Sequence, residues 1–128
     1  MPGPAQTGAV IYAKNLRAMT DFYGELLSGS VIHESNEFTV LQLGDFQLVI
    51  HAMPPHIASM VEISTPPELR EDTAIKLFFT VSSFEWATEV VNRLGGIMQS
   101  QRWHGTGFTA GNAADCEGNV LQLRVFKD

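Results

Sequence analysis

Cysteine is almost missing: Cys116 is the only one in 128 residues, which excludes a disulfide within the chain and any cluster of thiolate zinc ligands. Positive charge is scarce as well. Eight Lys and Arg against fourteen Asp and Glu leave a net charge of −6, the wrong sign for gripping phosphate backbones or anionic lipid. No apolar run approaches the roughly 20 residues needed to span a bilayer. The opening Met1-Pro2-Gly3-Pro4 offers neither a basic segment nor an apolar stretch of the kind that directs export. A cytoplasmic protein is therefore expected, with no nucleic-acid or membrane partner. Several catalytic signatures are also absent: there is no Gly-x-x-x-x-Gly-Lys-Ser/Thr loop, no Gly-x-Ser-x-Gly elbow, no His-Glu-x-x-His and no Cys-x-x-Cys. Charged residues make up only 17% against 45% hydrophobic, so the chain is not of disordered composition and has the material for a core. Its length suits a single domain, residues 1–128.

What is present is said twice. Gly8 to Ala13 is a β-rich run, followed by Asn15 as a helix N-cap and by Leu16, Met19, Phe22, Tyr23, Leu26 and Leu27 at helical spacing. Gly29 is the expected stop, and Val31 to Glu34, Phe38 to Leu43 and Phe46 to His51 read as strands. The second half repeats this order. Ile75 to Val81 is a strand, Ser82 and Glu85 suggest a capping box, and Phe84, Ala87, Val90, Val91 and Leu94 form a helical stripe ended by Gly95-Gly96. Ile97 to Trp103, Phe108 to Ala113 and Val120 to Phe126 follow as strands. Sliding the chain by 68 places superimposes Leu16 on Phe84, Phe22 on Val90 and Leu26 on Leu94. Two βαβββ modules, residues 8–52 and 74–127, are thus expected around a linker, 53–73, that holds four of the six prolines. That linker either folds over a cavity or is a packed connection.

The strand into Asn15-Leu16, then Phe22-Tyr23-Gly24-Glu25-Leu26-Leu27, and the late segment Asp115-Cys116-Glu117-Gly118-Asn119-Val120-Leu121-Gln122-Leu123 together resemble motifs of the vicinal oxygen chelate superfamily. That group contains glyoxalase I, extradiol dioxygenases, and fosfomycin and bleomycin resistance proteins. The resemblance covers nearly the whole chain. It implies an α+β fold in which two modules curl their sheets into half-barrels around a cavity, and it implies a homodimer. It also implies a divalent ion held by first- and last-strand side chains, and the matching positions are Gly8 and Lys76, then Val49 or His51, and Gln122. Few of these are donors. A glycine has no side chain, an ammonium no lone pair, and a neutral amide is a weak ligand. No metal or other cofactor is therefore expected, with a divalent ion on atypical ligands as the alternative.

Period-2 geometry places Phe46, Leu48 and Ile50 toward the helix and His51 on the other face, with Val10 and Tyr12 beside it. In the second module Gln122 shares its face with Arg124, and Phe78 and Thr80 stand beside Lys76. His51 reads as a base, a hydrogen-bond donor, a lone metal ligand or a strand-end histidine near solvent. Lys76 reads as a surface ammonium, or, inside, as a base or an attraction for an anionic or carbonyl group. Gln122 either orients a ligand or bridges to another buried group. Trp103-His104, before Gly105-Thr106-Gly107, suits planar ligands at a cavity mouth, with core packing of Trp103 the alternative. His33 and His56 carry no predicted role. The expected ligand set is Tyr12, His51, Lys76, Phe78, Trp103, His104 and Gln122, with His51 and Lys76 the catalytic candidates. The function expected is binding of a small organic molecule, to which the acidic net charge would draw a cation. A metal-dependent lyase or dioxygenase is the alternative.

Overall fold

The computed structural model describes residues 4–127. Two compact units result, divided between Glu62 and Ile63, and each is a βαβββ module with an open four-stranded sheet. In the first, β1 (Thr7–Ala13), α1 (Leu16–Leu27), β2 (Ser30–Glu34), β3 (Phe38–Leu43) and β4 (Phe46–Ala52) give the sheet order β1-β4-β3-β2. The last strand thus lies beside the first, parallel to it, while the β4-β3 and β3-β2 pairs are antiparallel.

The Asn15 side chain caps α1 by accepting from the Ala18 N–H at 3.1 Å. Met19, Phe22, Tyr23 and Leu26 on the helix and Leu41, Leu48 and Ile50 on the sheet are buried against one another. Each such side chain contributes about 1.5–3 kcal/mol on leaving water. A polar pair at this seam is satisfied internally, Thr20 Oγ1 donating to Thr39 Oγ1 at 3.0 Å. Gly29 is not the residue that turns the chain. Ser28 takes the left-handed conformation, φ 51°, and Gly29 is needed instead for close approach, since a Cβ there would lie 2.6 Å from Leu43 Cδ2.

The second unit consists of α3 (Phe84–Arg93) and the strands β5 (Phe78–Thr80), β6 (Ile97–Gly105), β7 (Phe108–Ala114) and β8 (Val120–Phe126), in sheet order β5-β8-β7-β6. Two expectations need correction. Ser83, not Ser82, caps α3, accepting from the Trp86 N–H at 3.1 Å. Glu85 therefore sits in the first turn as a charge facing the helix dipole and not in a box. The first strand also starts late, at Phe78 in place of Ile75. Phe78 is opposite Gln122, so Lys76 would need Val120, where β8 has only just begun, and it remains in the preceding loop.

The proline-rich segment is shared out between the units. Its first part forms the short helix α2 (Pro55–Ala58), and the Met53 N–H donates to the Ala13 carbonyl at 2.8 Å. In its last part Arg70 bridges to Asn119, its N–H donating to the Gly118 carbonyl at 2.9 Å. Among the described residues no helix is long and apolar enough to cross a membrane.

The turn before β8 is organised by one fully buried carboxylate. Asp115 Oδ1 accepts from the backbone N–H groups of Glu117 (2.9 Å) and Asn119 (3.0 Å) and from Asn119 Nδ2 (3.1 Å), which ties the loop into a closed ring and sets where β8 enters the sheet. Gly118 has φ 88°, and a Cβ on it would run into the Glu68 carbonyl oxygen. Gly118→Ala should accordingly cost about 2–4 kcal/mol of unfolding free energy, from left-handed strain and displaced backbone together. Urea denaturation measures this, and a loss below about 0.5 kcal/mol would show the turn to be unimportant to stability.

Candidate functional site

Each sheet hides one face under its helix and leaves the other open, and the open faces carry five of the seven expected ligand residues, Tyr12, His51, Phe78, Trp103 and Gln122. On the first, β1 and β4 are aligned Val10 with Val49 and Tyr12 with His51, and β3 adds Phe38 opposite His51. Side chains directly opposite one another share a face. The Tyr12 and His51 rings are 5.6 Å apart, and Phe38 lies 5.8 Å from His51 and within 10° of parallel to it. His33 stacks on Phe38 at 4.4 Å. It reaches this face because β2 carries a one-residue irregularity between Val31 and His33, which reverses the alternation. Four rings therefore run across all four strands. His51 Nδ1 is 2.8 Å from the Ala52 carbonyl oxygen. A carbonyl can only accept, so Nδ1 carries a hydrogen in this contact, and Nε2 is the nitrogen left for a ligand. Tyr12 is 57% exposed, a high value for a residue inside a strand.

On the second unit the open face is built around β8. Phe78 pairs with Gln122 and Thr80 with Arg124, while on the other side Asn112 faces Gln122 and Ala110 faces Arg124. Trp103 joins through its pairing with Ala110. The Arg124 guanidinium lies over the Phe78 ring, 3.6 Å from its centroid, and over the Phe108 ring at 4.2 Å. Its Nε donates to Gln122 Oε1 at 2.7 Å. Lys76 Nζ donates to Asn112 Oδ1 at 3.4 Å and lines a cleft of about 240 Å³ with Arg70, Glu71, Thr73, Gln99 and Asn112. His104 does not join this group. It pairs with Thr109, one place along from Trp103 and so on the opposite face, with its Nδ1 3.3 Å from Thr109 Oγ1. His56 is in α2, exposed.

The register also removes an ambiguity in the implied ligand positions. Val10 pairs with Val49 as Phe78 pairs with Gln122, so the counterpart of Gln122 is Val49, and His51 corresponds to Arg124. The first unit then offers Gly8 and Val49 and the second Lys76 and Gln122, whose amide oxygen already accepts from Arg124. This donor set does not fit a divalent ion. Among the described residues no group of three or more His, Cys, Asp and Glu side chains converges as metal ligands would. Residues that sequence reasoning passed over are Phe38, His33, Phe108 and Arg124. Period-2 parity placed Arg124 beside Gln122, yet nothing in the sequence says which rings it will meet.

No protein-family profile and no curated protein sequence matches the chain. Solved structures do. A glyoxalase/bleomycin resistance protein/dioxygenase family enzyme from Burkholderia phytofirmans aligns over 97% of this chain and 100% of its own, with TM-score 0.70 and 17% identity. The bleomycin resistance determinant encoded on transposon Tn5 aligns over 98% and 100%, with TM-score 0.59 and 16% identity. The fosfomycin resistance protein FosX from Listeria monocytogenes, solved with Mn(II) and sulfate, aligns over 99% and 93%, with TM-score 0.67 and 17% identity. The fold is thus that of the glyoxalase and bleomycin resistance proteins.

The one thiol belongs to neither face. Cys116 lies in the turn before β8, half-buried, and burial first, then the Asp115 and Glu117 carboxylates, push its pKa from 9.0 up to about 12. It is a packing residue and not a nucleophile. Since its folded pKa is raised, the stability it contributes is present below about pH 9, where the unfolded thiol is also protonated, and is lost as pH rises toward 12. Wild type should therefore lose unfolding free energy relative to Cys116→Ala across that window and not below it. Iodoacetamide at pH 8 should label the folded chain at least about tenfold more slowly than the urea-unfolded one; equal rates would contradict the assignment.

Proposed function

We propose that this chain is a metal-independent binding protein of the glyoxalase and bleomycin resistance type, which holds a small organic molecule against its open sheet faces. The observation that carries the reading is a substitution of chemistry. Where the fold's metal-dependent members would need a cluster of carboxylate and imidazole donors, these faces present Tyr12, Phe38 and His51 on one unit and Phe78, Phe108 and Trp103 on the other. Aromatic surface of this kind binds planar or apolar molecules by burial and ring stacking. Val10 and Tyr12 on the first unit and Phe78, Trp103 and Phe126 on the second are all exposed, and exposed apolar side chains clustered on each open face call for a cover. A second copy of the chain supplies it in this reading, so the working form is a homodimer. A lone reduced thiol fits a cytoplasmic setting.

A second reading rests on His51. With Nδ1–H engaged by the Ala52 carbonyl, Nε2 of the neutral ring is a lone-pair nitrogen beside the Tyr12 ring, which is what a general base needs. In that reading the protein is a lyase working by acid-base chemistry.

Calorimetric titration with bleomycin, fosfomycin and a set of monocyclic aromatic amines, amides and acids tests the proposal, alongside elemental analysis after incubation with Mn(II) and desalting. Saturable binding of at least one compound is expected, weakened roughly tenfold or more by Tyr12→Ala or Phe78→Ala, together with far less than one metal per chain. One tightly held ion per chain, or no binding across the set, would overturn it. Turnover of a bound compound that His51→Ala abolishes, without loss of affinity, would favour the lyase.

A further inference from the structure

We infer that Arg124 is an anion anchor, and that the molecule bound on the second unit carries a carboxylate or phosphonate-type oxyanion; this rests on the binding function proposed above and specifies its ligand. Three observations lead there. Arg124 stands on the open face in the central strand of its sheet, with Thr80 and Ala110 as its direct neighbours. Both are small, so the long side chain lies back over Phe78 and Phe108 instead of extending into water. Its only hydrogen bond among the described residues uses Nε, donated to Gln122, and no carboxylate pairs with it. The two terminal nitrogens are therefore held in a fixed plane with their donors unspent.

Comparison with the chain's other arginines shows that this is not the general condition. Arg102 also lies over a ring, that of Phe84, but its Nη1 is committed to the Gln99 and Gln101 carbonyls at 2.6 and 3.0 Å. Arg17 pairs with Asp21 at 3.3 Å on the surface of α1. A guanidinium clamped by rings and steadied through Nε loses little freedom on binding, and its remaining fork matches two oxygens of one oxyanion. The rings that hold it also offer their edges to a planar ligand body.

The polar run continues from Arg124 through Gln122 and its neighbour Asn112 to Lys76 and the cleft it lines with Arg70. Three of the chain's eight basic residues thus gather on this side of one unit, with Glu71 the acid among the cleft's lining residues. The net charge of −6 argues for a cationic ligand only at long range. Fields beyond about 8–10 Å are screened at physiological salt, whereas a direct charge-assisted hydrogen bond acts at contact and outweighs them.

Four probes of one shape and different charge test the inference: benzoate, phenylphosphonate, neutral benzamide and benzylammonium, titrated at pH 7 and low salt. The expected result is that an oxyanion binds roughly tenfold or more tightly than benzamide, that benzylammonium binds least, and that salt weakens the preferred probe. Benzoate over phenylphosphonate, or the reverse, identifies which oxyanion the fork takes. Arg124→Gln should remove the preference and Arg124→Lys should restore only part of it, because a point charge replaces the fork. The wild-type comparison of acid with amide stands even if a variant fails to fold. Equal affinity for benzoate, phenylphosphonate and benzamide, or a preference for oxyanions that survives Arg124→Gln, would overturn the anchor while leaving the binding function intact. Failure of all four probes together with the wider compound set would overturn both.

Discussion

A strand hydrogen-bonded on both edges has nothing left to vary except which side chains go up and which go down, and that constraint governs this protein. β4 and β8 are such strands. Each lies between the first and third strands of its module, so its backbone donors and acceptors are spent on the ladder, and its side chains divide strictly by parity. Leu48 and Ile50, and likewise Leu121 and Leu123, are buried beneath the helices. Val49 and His51, and likewise Gln122 and Arg124, have only the open face to occupy. A one-place slip would bury an imidazole or a guanidinium under a helix, at a cost of several kcal/mol. The apolar stripe of each helix therefore decides the register, and the register decides the site.

The same parallel pairing of first and last strands brings the chemically important positions together. In a sheet of this order the side chains of β1 and β4, or of β5 and β8, form rows across the open face. Here one is built from aromatic rings and the other from a guanidinium lying on two rings. Rings and a stacked cation stabilise one another without an ion, each such contact contributing roughly 0.5–2 kcal/mol. The Asp115 turn belongs to the same account, because it determines where β8 starts and hence which residues stand opposite Phe78 and Thr80.

Much of this was legible in the residues. Helical spacing located α1 and the body of α3, and alternation in Phe46 to Ala52 and Val120 to Phe126 assigned the two faces, because both signals are local and periodic. What escaped was non-local or a matter of one residue. Ser82 and Ser83 are equally good caps on paper, and only the folded backbone, extended at Ser83 with its hydroxyl accepting from the Trp86 N–H, chooses between them. Gly29 was expected at the turn because glycine tolerates positive φ, but crowding by Leu43 claims it and leaves Ser28 to make the turn. Lys76 was expected in a strand whose partner turns out to start at Val120. His33 has no role legible in the sequence because nothing in its neighbours announces an extra residue in the strand.

Sequence by itself determined the duplicated βαβββ order, the buried stripe of each helix and the near-absence of chelating side chains from the implied positions, since each of these is a property of residue type at a given spacing. Tertiary structure alone decided that Val49 and not His51 is the counterpart of Gln122, that four rings line up across one sheet, and that Arg124 settles between Phe78 and Phe108 with its fork unspent. Those facts depend on strand register and on which side chains from distant parts of the chain meet, and register is set by packing across the whole sheet rather than by any segment within it.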